Sequence, residues 1–256
     1  MCADDANEQI ASITNPPLSS RWKKICFKLA AGICLLLLAG AGCHELREMQ
    51  QMARRASCGN DVFVLANALR EYAADHDGLL PPISAIRGNI MMDPDGFYPK
   101  YLTNSCWVQC EYSPLRQMGD KGDDLGVFGF NDDSFCYLPW EIKTEKEGLG
   151  FIEAYKNLDP KKRHEDLKVE IDGEVVSLPR SRLSANLPGS SADSETFVPM
   201  IIEWPNHAHI DAVVWYTDGH GECADIGDKF PMTEEFIAGL RAIAAIDKPI
   251  PKWKRK

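Results

Sequence analysis

The chain lacks the short motifs on which much enzyme chemistry is built. It has no Ser-centred nucleophile elbow, no Gly-rich phosphate loop and no His-Glu-x-x-His helix. Hydrolase-fold acyl transfer, P-loop phosphate chemistry and zincin hydrolysis therefore have no support in the sequence. It also lacks a basic excess: 28 Lys and Arg stand against 38 Asp and Glu, a formal charge of −10. Three acids and four bases fall in the first 43 residues, which leaves 35 acids and 24 bases behind them. An acidic body argues against nucleic acid as a partner. No internal repeat is present. The length, 256 residues at 45% hydrophobic content, allows one large or two small domains with a packed core.

One apolar segment stands out, from Ile25 to Gly42, and Leu29 to Cys43 carry no charge. With Lys28 snorkelling, about 18 residues can span, against the roughly 20 that a transmembrane helix needs. Arg21, Lys23, Lys24 and Lys28 precede the segment, while the flank behind it is mixed (Glu45, Arg47, Glu48). The positive-inside rule places the N-terminus in the cytoplasm and the bulk outside. Three fates compete. An uncleaved signal anchor suits the long polar leader best. Signal-peptidase cleavage after Ala39-Gly40-Ala41 is the second, and lipoprotein processing at Cys43, behind Gly42, is the third.

Nine cysteines distribute along this topology. Cys26 and Cys34 behave as small hydrophobes in the apolar segment, and Cys2 is cytoplasmic. Cys58, Cys106, Cys110, Cys136 and Cys223 lie outside, where disulfides persist. Their number is odd, and the sequence leaves the pairing open.

A helix follows the apolar segment with no linker between. Apolar or small residues recur at Met49, Ala53 and Ala56, pause at Gly59-Asn60, and resume at Val62, Leu65 or Ala66, Leu69, and Tyr72 or Ala73. Steps of three and four put them on one face. Gly78 suits the left-handed position after a helix, and Pro81-Pro82 cannot continue one. A rod helical from Ile25 to Asp77 is roughly 80 Å long at about 1.5 Å per residue. Arg70, Glu71 and Asp75 fall off the apolar face. Leu65, Leu69 and Tyr72 are expected to pack on a sheet whose other face is wet.

Beyond Pro82, short β-rich runs alternate with turn residues. Strands are expected at Tyr98–Leu102, Cys106–Tyr112, Gly126–Phe130 and Ser134–Trp140. Asp166–Ile171 and Glu174–Leu178 flank the hairpin signal Asp172-Gly173. Phe197–Trp204 and Asp211–Thr217 are the strongest strands. Helices are expected at Glu145–Asn157 and from about Thr233 to Ile246, the second with Glu234 and Glu235 in its first turn. Ser181–Thr196 reads as a surface loop. The sum is an α+β head with a mainly antiparallel sheet.

Two sets of residues could hold metal. His207 and His209 share one face of a strand, and His220, Cys223 and Asp225 follow, which is a donor set for zinc. The plainer reading is a polar hairpin turn in which His220 bonds locally, and the irregular spacing favours it. Asp120, Asp123, Asp124, Asn131, Asp132 and Asp133 offer oxygen ligands to calcium, but they lack the spacing of a helix-loop-helix site and a solvated loop is the favoured reading. Cys106 and Cys110 are either metal ligands or disulfide partners, and outside the cytoplasm a disulfide is favoured.

Three patches in order carry a resemblance. The first is Ala53-Arg54-Arg55-Ala56-Ser57-Cys58 leading through a helix to Tyr72-Ala73-Ala74-Asp75-His76-Asp77-Gly78-Leu79-Leu80-Pro81-Pro82. The second is Trp107-Val108-Gln109-Cys110-Glu111-Tyr112-Ser113-Pro114. The third is His207 to His220, ending in Asp218-Gly219-His220. Together they resemble the type II secretion pseudopilin-like, prepilin-type proteins that carry a C-terminal His followed by Asp-Gly. In that group nine residues separate the His from the Asp-Gly; here His207 leaves ten and His209 leaves eight. The family's cytoplasmic Gly-Phe-Thr-Leu-x-Glu is replaced by Arg21-Trp22-Lys23-Lys24-Ile25-Cys26-Phe27-Lys28-Leu29. Neither prepilin-peptidase processing nor a regular filament follows from the resemblance.

What the resemblance implies is a pilin-like protein without catalytic activity. Residues 1–24 form a cytoplasmic leader, 25–43 a transmembrane anchor in contact with lipid, 44–80 the amphipathic helix, and 81–256 the head. The long N-terminal helix, anchor and amphipathic part together, packs on the sheet. Cys58, Cys110, Asp218, Gly219 and His220 are its motif residues, and His207, His209 and His220 are the candidate zinc ligands. No cofactor is expected, with calcium or zinc as the alternatives. Other pilin-like subunits are the expected protein partners. The expected place is a bacterial inner membrane, with a single pass and a periplasmic or extracellular head. The alternative is a membrane-tethered lipoprotein or binding module, and a metal-dependent enzyme comes third.

Overall fold

A computed structural model describes residues 56–110, 129–183, 197–203 and 211–244, together with scattered positions upstream (28, 45–46, 49–50 and 52–53). The polar leader, the apolar segment apart from Lys28, the acidic positions Asp120, Asp123 and Asp124, and both His207 and His209 lie outside the described residues. Among the described residues no helix is long and apolar enough to cross a membrane. The chain divides into a unit ending at Met52 and a unit from Ala53 onward. The described positions of the first are helical.

The second unit is α+β. Helix α1 covers 56–75. Strands follow at Phe135–Tyr137 (β1), Leu167–Ile171 (β2), Glu174–Leu178 (β3), Pro199–Glu203 (β4), Asp211–Tyr216 (β5) and Gly221–Asp225 (β6). Helix α2 spans Glu145–Lys156 and α3 spans Glu234–Ala244. The main sheet has the order β1-β4-β5-β6 with every pair antiparallel, and β2 and β3 form a separate antiparallel hairpin.

Local chemistry explains these elements. In α1, Cys58, Val62, Leu65, Ala66, Leu69 and Ala73 recur at helical spacing, and all are buried. The helix closes where the Gly78 N–H donates to the Ala73 carbonyl at 2.8 Å, with Asp77 and Gly78 both at positive φ. A Cβ on Gly78 would stand 2.9 Å from the Leu183 carbonyl oxygen, so the turn needs glycine twice over. The β2–β3 turn has Asp172 at φ 54° and Gly173 at φ 85°, the double positive φ of a tight two-residue hairpin. Helix α2 opens with a capping box: the Glu147 N–H donates to Thr144 Oγ1, and Glu147 Oε2 accepts from the Thr144 N–H.

The sheet is covered on both faces, which corrects the expectation of a wet face. On one side α1 packs Val62, Leu65, Leu69 and Ala73 with Phe135, Tyr137, Ile201 and Val213. On the other, Phe151 and Ile152 of α2 and Phe236, Ile237 and Leu240 of α3 meet Cys136, Ile202, Ala212 and Val214, with the β2–β3 hairpin beside them. Every residue of β4 is buried. The reason is that α2 and α3 are amphipathic and must bury their own apolar faces, and the second face of the sheet is where they do so.

Other expectations also change. Tyr98–Leu102 and the described part of Cys106–Tyr112 are not strands. The first lies in turns after Pro94-Asp95-Gly96, and the second contains a short 3-10 helix, Ser105–Val108. Asn104 caps that helix, its side chain accepting from the Cys106 N–H at 2.9 Å. Residues 129 and 130, the described end of Gly126–Phe130, are not in a strand. Strand β6 was not singled out by its sequence, because it is an edge strand with only Ala224 buried.

Arg180 ties the helix exit to the hairpin. It is 8% exposed, and its guanidinium donates to the carbonyls of Leu80 (2.5 Å), Pro81 (2.9 Å), Pro139 (3.3 Å) and Arg163 (2.8 Å). Burial lowers its pKa, and the four carbonyls replace the water it gives up.

Candidate functional site

Two places in the second unit gather the residues that the sequence marks out. The first is the turn between β5 and β6. Asp218 and His220 lie two apart in this tight turn, and the His220 N–H donates to Asp218 Oδ1 at 3.2 Å. The imidazole Nδ1 faces the same carboxylate, at 2.6 Å and 2.8 Å from its two oxygens. Since an ionised carboxylate only accepts, the ring N–H at Nδ1 donates to Asp218. The ring stacks on Tyr216 (4.4 Å between centroids) and meets Phe197 edge-on (4.6 Å). The Tyr216 hydroxyl donates to Glu222 at 2.5 Å. Burial raises the pKa of Tyr216, and the Glu222 carboxylate raises it further.

Gly219 has φ 96°, and a Cβ there would fall on the Arg70 guanidinium of α1. The Asp-Gly of the motif is thus the point where the turn is seated against the helix. The sequence placed Arg70 off the packed face, yet it is half-buried, and its guanidinium also donates to Asn67 Oδ1 at 3.0 Å. Glu71 and Asp75 are exposed, as their helical phase requires. Tyr72 sits at the edge of the core, stacked on His76 and packed beside Phe97 and Tyr101.

The second place lies under α1. Cys58 and Cys110 form a disulfide with their Cα atoms 5.5 Å apart, so the first turns of α1 are bonded to a segment 52 residues later. Both are buried. Beside them is Glu203, 7% exposed, at the end of β4. Strand alternation explains its place: Ile201 and Glu203 face α1, while Ile202 faces the other helices. One carboxylate oxygen accepts from the Val213 N–H at 3.1 Å. The two sulfurs and a carboxylate oxygen lie within 4.8 Å of one another. Among the described residues this is the group of His, Cys, Asp and Glu whose donor atoms converge.

Of the three candidate zinc histidines, only His220 is described, and its Nδ1 is held by Asp218. Cys223 and Asp225 point to the other side of β6 from Glu222 and Ala224 by strand alternation. Among the acidic positions, Asp132 is buried and accepts from the Ile90 N–H at 3.2 Å, while Asn131 Oδ1 accepts from the Asp133 N–H at 3.0 Å. These bonds organise a turn. Sequence reasoning missed Arg70, Glu203, Tyr216 and Glu222. For Glu203 a signal existed: a lone acid ending the apolar run Val198 to Ile202.

A shallow cleft of about 320 Å³ opens elsewhere, lined by Ser84, Arg87, Tyr155, Lys156 and Arg163 among others. Its cations are engaged: Arg87 donates to the Lys156 carbonyl, Lys156 pairs with Glu153, and Arg163 pairs with Asp93. Comparison with known proteins adds no identity: no family model, no curated protein and no solved structure matches the chain.

Proposed function

We propose that this chain is a non-catalytic, membrane-rooted envelope protein that presents a pilin-like head on a helix continuing from its anchor. One observation carries the reading. Helix α1, which follows the apolar segment closely in sequence, is part of the head itself: its apolar stripe is buried against an antiparallel sheet, and Cys58 bonds it to Cys110. A helix that only linked an anchor to a separate domain would have no need of either. The disulfide supports an oxidising location for the head. The turn at Asp218-Gly219-His220 supports a structural role for the motif, since it seats a hairpin on α1. The second helical layer, α2 and α3, is an addition to the simplest helix-on-sheet plan.

Fractionation with determination of the mature N-terminus tests this. The expected result is a membrane-bound protein that needs detergent and begins at Met1 or Cys2. A diacylated Cys43 would move the reading to a tethered lipoprotein with the same head. Recovery in the soluble cytoplasm would overturn it.

A further inference from the structure

We propose that Cys58, Cys110 and Glu203 form a second-state site: when the disulfide is reduced, they bind a thiophilic divalent cation of the zinc class. This does not rest on the membrane reading, because it concerns only the interior of the head. The donor set comes from three separate elements, and it is compact. Cys58 is on the first turns of α1, Cys110 follows the short 3-10 helix, and Glu203 ends β4. Their ligand atoms converge within 4.8 Å, and all three residues are buried. Two thiolates and a carboxylate are a borderline-soft set that suits zinc, with one position left for a fourth ligand.

The chemistry of the pocket favours an ion over bare thiols. Val62, Phe135 and Val213 pack in the same buried cluster as Cys58 and Cys110, and charge carried into such an interior is paired or coordinates a metal. A divalent cation displaces the two protons and offsets the charge. The Val213 N–H, bonded to one oxygen of Glu203, fixes the carboxylate as an outer partner does in a metal site.

The two states exclude each other and interconvert by balanced steps. A small dithiol reductant delivers two electrons and two protons to the disulfide, and the reductant leaves as its own disulfide. The metal then enters and releases the two protons. A low-molecular-weight disulfide reverses this: it takes two electrons from the thiolates, picks up two protons, leaves as two thiols and frees the ion. Either state bonds α1 to β4 or to the Cys110 segment, so the head keeps its helix in both.

Cobalt(II) is the probe, added to the detergent-solubilised full chain after reduction by a dithiol and removal of the reductant. The reduced protein is expected to bind one cobalt with a sulfur-to-cobalt charge-transfer band, and stoichiometric zinc should erase the band. The oxidised protein should show none. Glu203→Gln should keep the band and weaken affinity by at least about tenfold, the loss that even an outer-shell partner produces. The double variant Cys58→Ser/Cys110→Ser, checked for a native near-ultraviolet circular dichroism spectrum, should lose the band. No band in a reduced, folded protein overturns the proposal. A band that survives in a folded double variant also overturns it, by assigning the metal to other cysteines. Should the double variant unfold, Glu203→Gln decides, and unchanged affinity there refutes the site.

Discussion

The two faces of the main sheet are held in different ways. On the α2–α3 side the core is aliphatic and aromatic, with Ile202, Ala212 and Val214 under Phe151, Phe236 and Leu240. On the α1 side the apolar stripe is joined by a disulfide, a buried Glu203 and the guanidinium of Arg70 at the rim. One face is secured by apolar burial from two short helices. The other receives a single helix and adds covalent and polar bonds to keep it in register.

The first way to break this comparison is to empty each face in turn. Phe236→Ala should cost about 3–5 kcal/mol and Leu69→Ala about 2–5 kcal/mol in denaturant unfolding of the full chain in detergent, since both side chains are fully buried. Glu71→Ala, on the exposed side of α1, should lie within about 0.5 kcal/mol of the parent. If Leu69→Ala were neutral and Glu71→Ala severe, α1 would not be seated as described.

The disulfide should affect one face only. With Cys58 and Cys110 52 positions apart, its loss is worth about 4 kcal/mol by chain entropy. Metal-free reduction should speed amide exchange in 56–62 while leaving α2 and α3 protected. Uniform acceleration over all three helices would mean the faces are not separable.

Thr144→Ala removes the cap of α2 and should cost about 1 kcal/mol, with fraying confined to the first turn of that helix. Fraying in α1 as well would tie the two faces together.

The smallest effect concerns pH. Burial, and then the neighbouring Arg163, lower the pKa of His164 below its ordinary 6.5. The unfolded chain therefore binds the proton first. Stability is complete above 6.5 and declines as the pH falls through the lowered value. His164→Gln should flatten that part of the unfolding midpoint against pH. An unchanged profile would remove His164 from the account.

Elements with strong local signals were legible. The start of α2 at Glu145, the Asp172-Gly173 turn and the Gly78 stop were each placed correctly, because each depends on residues a few positions apart. Tyr98–Leu102 and the described part of Cys106–Tyr112 misled, since an aromatic or β-branched run becomes a strand only when a neighbour offers its edge. The site followed the same division. Asp218, Gly219 and His220 were visible as a turn, while Arg70, which meets that turn from 149 positions away in sequence, was not.

By itself the sequence determined which stretches have a helical or a strand period, where they stop, and that α1 has one apolar face. Those properties follow from backbone sterics and side-chain spacing, which act over a single turn or a single hairpin. Only the tertiary structure decided that the sheet is covered twice, that Cys58 meets Cys110, and that Glu203 is carried into the core beside them. Each of these joins residues far apart in the chain, and the order in which antiparallel strands assemble has no signature in local spacing.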